Sequence, residues 1–319
     1  MHGKDASSRE TAPSGLPDAS HVGGMGAASP APEWQARPNL FVVGAVKAGT
    51  TSLWAHLDAS PEIFMTRLKE PTFFADRAPT GKQVVKDLAE YAELFVEGAD
   101  RRYRGEASPS YLPDPHAAEK IRAVAPGARI IASLRDPVER AYANYWTTVR
   151  AGNERRTFGR AVGDELAADE VSMADVPPPY VARGLYADQL ERWYAAFGGS
   201  VLVLFFEEFV ADVRGTMRTV FEWLDVDPEP ADHLDVSARF PFEVPRSPTA
   251  RRLIRVPGAQ RIGRRLLPRK IRSTLRGAMM QQEKPPLDPE TRRLLRDVYA
   301  EPDARLRELL GRPLPWDGR

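Results

Sequence analysis

Short apolar runs ending in polar turns recur along this chain. Asn39-Leu-Phe-Val-Val43 runs into Gly44, and Pro61 to Thr66, Ala128 to Leu134 and Ser200 to Phe206 have the same character. A shorter run, Arg104 to Ala107, enters the polar turn Ser108-Pro-Ser110. Runs of this length bounded by Gly, Pro and Asp suit buried parallel strands. Between them the apolar spacing changes to that of helices: Ser52–Leu57, Gln83–Phe95 with Val84, Leu88, Tyr91 and Phe95 as its stripe, His116–Ala125, Tyr180–Phe197, Arg214–Leu224 and Asp288–Leu310. Asp136-Pro137 opens a further helix, the acid as N-cap and the proline as first helical residue. Strand and helix alternate, which predicts an α/β fold of three layers: a mostly parallel central sheet flanked by helices.

The first strand leads into Gly44-Ala-Val-Lys47-Ala-Gly49-Thr50-Thr51, which has the spacing of a phosphate-binding loop with one change. Thr50 stands where a nucleoside-triphosphate loop has its lysine, and Lys47 lies inside the turn instead. Backbone N–H groups and the positive end of the following helix converge on an anion held above Gly49 and Thr50. The fold is therefore P-loop-like, but the lysine meets its ligand nearer the group that departs. A Gly-rich turn with one lysine can also be only a turn; the apolar strand before it and the amphipathic helix after it favour the anion site.

Two further strand ends carry chemistry. Lys69-Glu70-Pro71 follows the second strand, and Pro71 favours an extended backbone at Glu70, on the rim where open α/β sheets collect ligands. Arg135 ends the strand before Asp136, where a planar guanidinium suits a phosphate. His56 and His116 lie on predicted helices, where a lone histidine is more often a packed or surface residue than a base.

Together, GAVKAGTT, KEPTFF and the block Ala128–Trp146 resemble the sulfotransferases that use 3′-phosphoadenosine 5′-phosphosulfate (PAPS), in the heparan-sulfate-type and bacterial branch, over most of residues 38–316. The resemblance makes sense of the displaced lysine, because a sulfuryl group carries less charge than a phosphoryl group and needs no metal clamp. It implies that Lys47, Ala48, Gly49, Thr50, Thr51 and Ser52 hold the 5′-phosphosulfate and that Glu70 is the general base on an acceptor hydroxyl, less readily an amine. Lys69 supports donor or acceptor. Arg135 takes the 3′-phosphate; the serine that joins it in the family is Ala143 here, a loss of about 1 kcal/mol for one hydrogen bond. Arg183-Gly184-Leu-Tyr186 resembles the adenine-side contact, and Lys284-Pro-Pro a late nucleotide loop. Glu106 and Ser108 lie in the substrate-side segment, Glu106 as a structural or acceptor-facing group, with Ala107 where the family often has lysine. The product would be adenosine 3′,5′-bisphosphate, and no metal is expected. Two other readings stand beside this one. A magnesium-dependent small-molecule kinase is disfavoured by Thr50, and Ala143 keeps open a nucleotide-binding protein without turnover.

Composition narrows the setting. The chain has 319 residues, 42% apolar and 28% charged, enough for a sizeable core. It has no cysteine, which excludes disulfides, a thiolate nucleophile and cysteine-bound zinc. A formal net charge of +1 gives no argument for nucleic acid. The charge is uneven, however: residues 251–276 hold ten Lys/Arg and no Asp/Glu. That stretch suits a flap toward an acidic acceptor, the donor's phosphates or a membrane surface, although Pro257, Gly258 and Pro268 break it as a long amphipathic helix. The expected organisation is a disordered tail over 1–36 and one domain over 37–316, with lid or flap segments at 153–179 and 246–286. Neither an export signal nor an apolar run of membrane-spanning length is visible, so a cytoplasmic, bacterial-type enzyme acting on a small molecule or glycan is expected.

Overall fold

The computed structural model describes residues 36–76, 85, 87–171, 179–236, 244–245, 280–281 and 284–318. Residues 1–35 of the expected tail and the basic stretch 251–276 lie outside them, while Ala36 is buried in the core.

The predicted apolar runs form five strands: β1 (Leu40–Gly44), β2 (Ile63–Met65), β3 (Tyr103–Ala107), β4 (Arg129–Leu134) and β5 (Val201–Phe205). They build one sheet in the order β2-β3-β1-β4-β5, and every pairing is parallel. Side chains alternate across β1. Phe41 and Val43 enter one apolar cluster and Leu40 and Val42 another, on the opposite face.

Helices close both faces. Leu53 and Leu57 of α1 (Thr50–Leu57) and Met217, Val220 and Phe221 of an eleven-residue helix (Val213–Trp223) cover the Leu40 side. On the Phe41 side lie Tyr91 of α2 (Leu88–Glu93), Ile121 of α3 (Ala117–Val124) and Leu190 and Trp193 of a later helix (Tyr186–Phe197). Burying a large apolar side chain is worth about 1.5–3 kcal/mol, so this double cover supplies most of the drive to form the sheet. The expected α/β, three-layer, P-loop-like fold is what the chain adopts.

After β4 the chain enters α4 (Pro137–Ala151), whose N-cap Asp136 accepts from the Val138 and Glu139 amides, as the sequence predicts. Arg296 of the long C-terminal helix also grips Asp136, at 3.0 and 2.7 Å. α5 (Phe158–Leu166) follows, then the helices Tyr186–Phe197 (α6), Phe206–Ala211 (α7), Val213–Trp223 (α8) and Pro289–Leu310 (α9). The last is capped by Asp288 and ended by Gly311 at φ 62°. Residues 244–245 and 280–281 pair antiparallel as β6 and β7.

One expectation changes. α2 begins at Leu88 rather than near Gln83, because Asp87 accepts from the Ala89 and Glu90 amides and fixes the start there; Val84 lies outside the described residues. Within the described part of the expected lid, 153–171, one face is buried while residues 166–170 are exposed. Phe158, Ala161 and Val162 join Tyr145, Tyr180, Leu295 and Tyr299 in a third apolar cluster, and the Glu165 carboxylate accepts from the Tyr180, Val181 and Ala182 amides.

β5 is the last strand of the sheet among the described residues. Arg312, just past α9, donates to the Val203 carbonyl at 3.2 Å and lays its guanidinium over Phe205 at 4.1 Å. Among the described residues no helix is long and apolar enough to cross a membrane.

Candidate active site

The carboxyl ends of five parallel strands form one rim. The turn after β1 is fixed largely from β4: Ala45 N–H donates to the Ser133 carbonyl at 2.6 Å, and the Ser133 hydroxyl donates to the Ala48 carbonyl at 2.7 Å. Arg135 completes the set, its Nη1 donating to the Lys47 carbonyl at 3.1 Å. With carbonyls held from the side, the turn rises into α1 through Gly49 at φ 82°. A β-carbon at Gly49 would sit 3.0 Å from the Phe206 ring, so both the backbone angle and the space call for glycine. Lys47 itself has φ 73°, an uncommon value for a residue with a β-carbon and one associated with functional turns.

The cations of the site gather around this turn. Burial, then the charges of Arg150, Arg135, Lys284 and Lys69, push the Lys47 ammonium down to about 8. Burial and Arg135 likewise push Lys284 to about 8, and its ammonium stands 3.8 Å from Glu139 and 5.9 Å from the centre of the Tyr142 ring. Arg135 is lowered by burial, its guanidinium lies 4.5 Å over Phe206, and its Nε is buried without a hydrogen-bond partner among the described residues. Several positive charges gathered on one turn suit a polyanion, with Glu207, Glu139 and Asp136 offsetting Arg135 in part.

Beside the turn opens a hollow of about 340 Å³, lined by Gly49, Ser52, His56, Phe206, Phe209 and Arg214 among others. His56 stands edge-on to Phe209 and its pKa is lowered by burial. The hollow adjoins the helix start, and Phe206 joins it to Arg135: one ring borders the cavity and carries the guanidinium. It can take a flat aromatic group whose phosphates reach the turn.

Glu70 lies beyond β2 in a turn, not on extended backbone. Its φ is 62°, and Thr72 follows at 55°. Pro71 keeps the chain from continuing as a helix, and the neighbouring contacts then decide the geometry: the Thr72 amide donates to Ser108 Oγ, the Phe74 amide to the Tyr111 hydroxyl, and the Val85 amide to the Pro71 carbonyl. The Glu70 carboxylate accepts from the Lys69 ammonium at 2.8 Å, both side chains about one-fifth exposed. Burial lowers Lys69 to about 8, against the opposing charge of Glu106. Lys69 is thus the link between the two halves of the site, since its charge is felt at Lys47.

Other candidates fall elsewhere. Glu106 and Ser108 are fully buried, so neither faces an acceptor. Tyr186 is also buried, and its hydroxyl donates to the Arg135 carbonyl at 2.9 Å. Gly184 admits Tyr299, whose hydroxyl would lie 2.6 Å from an added β-carbon. Arg183 is lowered to about 10 by burial and by Arg140. The RGxY tetrad therefore supports the rim from beneath. Ala143 is buried and offers only a methyl group, while its neighbour Asn144 keeps a buried Nδ2 without a partner among the described residues. His116 pairs with Asp76 at 2.6 Å. That pair and Asp114 bring ligand atoms within 4.8 Å of one another, but Asp114 accepts from the His116 and Ala117 amides and Lys120 occupies the second oxygen of Asp76.

Phe206, Phe209 and Arg150 were not singled out in the sequence. Phe206 sits at the end of an apolar run, where an aromatic residue reads as core. Arg150 is remote from Lys47 along the chain, and only the packing of α4 brings its charge to the turn.

A family model described as "Sulfotransferase family" matches residues 82–230. Human carbohydrate sulfotransferase 15 is 25% identical over 329 aligned residues, covering 86% of this chain and 53% of that protein. Mouse heparan sulfate glucosamine 3-O-sulfotransferase 3A1 is 29% identical over 188 residues, covering 59% of this chain and 45% of that protein. The chain thus spans about half the length of the curated relatives it matches. Among solved structures, a sulfotransferase from Alicyclobacillus acidocaldarius superposes with a TM-score of 0.66 at 29% identity, covering 88% of this chain and 98% of that one.

Proposed function

We propose that this chain, which a sulfotransferase family model matches over residues 82–230 and which resembles solved and curated sulfotransferases, moves the sulfuryl group of PAPS to a hydroxyl, less readily an amine, of a glycan or small molecule by in-line displacement. The observation that carries the donor assignment is the convergence of Lys47, Arg135 and Lys284 on one turn beside an aromatic-lined hollow. A nucleotide with phosphates on two sides of one ribose fits that arrangement: a base against Phe206, one phosphate at the turn, the other at Arg135. The buried Arg135 Nε, without a hydrogen-bond partner among the described residues, and the glycine required at position 49 are the features such a ligand would use.

Each residue then has a task. Glu70 takes the acceptor proton as the oxygen attacks sulfur. Lys69 holds the Glu70 carboxylate in place through their 2.8 Å contact. Lys47, with the amides of the turn and the Thr50 and Thr51 hydroxyls, stabilises negative charge on the oxygen that leaves sulfur. PAPS supplies the activated sulfuryl group, so this chemistry calls on no metal. Glycans are the preferred acceptors because the curated relatives carry carbohydrate and heparan sulfate in their names.

Thermal shift with adenosine 3′,5′-bisphosphate against ATP plus magnesium tests the donor. Selective stabilisation by the bisphosphate is expected; selective stabilisation by ATP and magnesium would replace this reading with phosphoryl transfer. Transfer of label from PAPS to a panel of desulfated glycans, with and without Glu70→Gln, tests the base. Equal labelling by both proteins would remove Glu70 from its role.

A further inference from the structure

We propose that Glu106, buried behind the site, is a positioning residue: its carboxylate fixes the turn that presents Glu70. The proposal rests on the reading of Glu70 as base and adds a residue that never meets substrate.

The geometry is a closed set of hydrogen bonds. Glu106 accepts from the Ser108 hydroxyl at 2.5 Å and, on its other oxygen, from the Tyr91 hydroxyl at 2.7 Å and the Tyr111 hydroxyl at 2.8 Å. Each donated proton settles which way that hydroxyl turns its lone pairs. The Ser108 oxygen then accepts from the Thr72 amide at 3.1 Å, and the Tyr111 oxygen from the Phe74 amide at 3.3 Å. Tyr91 adds a packing contact, its ring stacked on Phe73 at 4.4 Å. The segment from Thr72 to Phe74 is therefore held at three successive residues, immediately after Glu70 and Pro71. A backbone with φ of 62° at Glu70 and 55° at Thr72 persists only where its surroundings over-determine it. The two hydroxyl-to-amide bonds provide that determination.

A neutral carboxyl would not do the same. Protonated, Glu106 must donate one hydrogen bond, so one hydroxyl becomes its acceptor and releases its own proton from the carboxyl; where that hydroxyl is Ser108 or Tyr111, the bond that oriented it toward its amide is lost. Ionisation of Glu106 and order in the Glu70 turn are linked. The second link is electrostatic, since the Glu106 charge favours the protonated form of Lys69, which contacts Glu70. The titratable groups facing Glu106 are Tyr91 from α2, Tyr111 from the segment after β3, and Lys69 from the segment after β2. Burial raises Glu106 to about 6 against the three hydroxyl bonds and Lys69, while both tyrosines are pushed well above their usual range. The switch therefore belongs to Glu106.

Two measurements need neither acceptor nor turnover, so they can fail without touching the proposed activity, and the activity can fail without touching them. Amide hydrogen exchange of the wild-type protein, corrected for intrinsic rates, should show protection at Thr72 and Phe74 falling at least tenfold from pH 7.5 to pH 5, with the β1 amides unchanged. Protection that stays constant across that window overturns the structural half. Carbon-13 titration of labelled lysines should show the Lys69 midpoint lower in Glu106→Gln than in wild type, with Lys47 as the internal reference; an unmoved Lys69 overturns the electrostatic half. If Glu106→Gln does not fold, Ser108→Ala serves in its place. It should lose Thr72 protection while keeping the Lys69 midpoint, and retained Thr72 protection would overturn the chain of bonds.

Discussion

Lys47 and Arg135 bear on one carbonyl from two directions: Lys47 carries it, and Arg135 donates to it at 3.1 Å. Their tasks separate by substitution. Lys47→Ala should lower kcat by about 10²–10³, the scale on which a lost stabiliser of developing charge acts, in a single-turnover assay with labelled PAPS. Arg135→Ala should instead abolish the preference for adenosine 3′,5′-bisphosphate over adenosine 5′-monophosphate, a loss of about 1.5–3 kcal/mol for a charged hydrogen bond, read by calorimetry. An Arg135 variant that keeps the full preference would move the 3′-phosphate elsewhere. The lysines also set a pH dependence. Lys47 and Lys284 near 8 in the free protein are losing protons as pH passes that value. A bound phosphate raises both, so binding takes up protons and affinity is full below about pH 8 and declines above it. Bisphosphate affinity that is flat from about pH 7 to 9.5 would exclude both lysines from contact.

At the scale of the element, α4 shows how much was legible in advance and why. Asp136-Pro137 announces a helix start in any context, because an acid that accepts amide protons and a ring that needs no N–H are local solutions. What no local rule contains is Arg296, far along the chain, closing on both oxygens of the same acid at 3.0 and 2.7 Å. Asp136→Ala should consequently cost more than a cap alone, about 3 kcal/mol by urea unfolding, since it removes the cap and strands a partly buried guanidinium. A loss of 1 kcal/mol or less would mean that Arg296 finds another partner. The five strands were readable for the same local reason: continuous apolar runs have one comfortable place, between two layers of helix. The turns were not. Glu70 reads as extended from Pro71, yet its φ of 62° is imposed by Ser108 and Tyr111, which belong to another strand's exit. Gly184 and Tyr186 read as ligand contacts because residue type cannot tell a cavity from a neighbour; in the fold Tyr299 and the Arg135 carbonyl take those places.

For the whole molecule, cations gathered ahead of their ligand are a burden on the empty fold. Lys47, Lys69 and Lys284 sit near 8 when folded, against 10.5 for the ordinary group. Between those values the unfolded chain binds more protons, so stability should rise as pH climbs from about 8 toward 10. Above that the slope reverses, because buried Tyr91 and Tyr111 stay protonated in the fold while unfolded tyrosines ionise. Unfolding midpoints of the ligand-free protein should trace that arch, and saturating bisphosphate should flatten its rising limb. A midpoint that falls steadily from pH 8 upward would contradict the lowered lysines.

Arg312 guards a different kind of vulnerability. A bare border on a parallel sheet is an invitation to polymerise, and along β5 the Arg312 guanidinium plugs the Val203 carbonyl while its flat face shields Phe205. Arg312→Ala should leave the anion site intact yet let molecules zip together border to border, visible as concentration-dependent growth in sedimentation velocity. If the variant sediments as the parent does, some other part of the chain keeps strangers out.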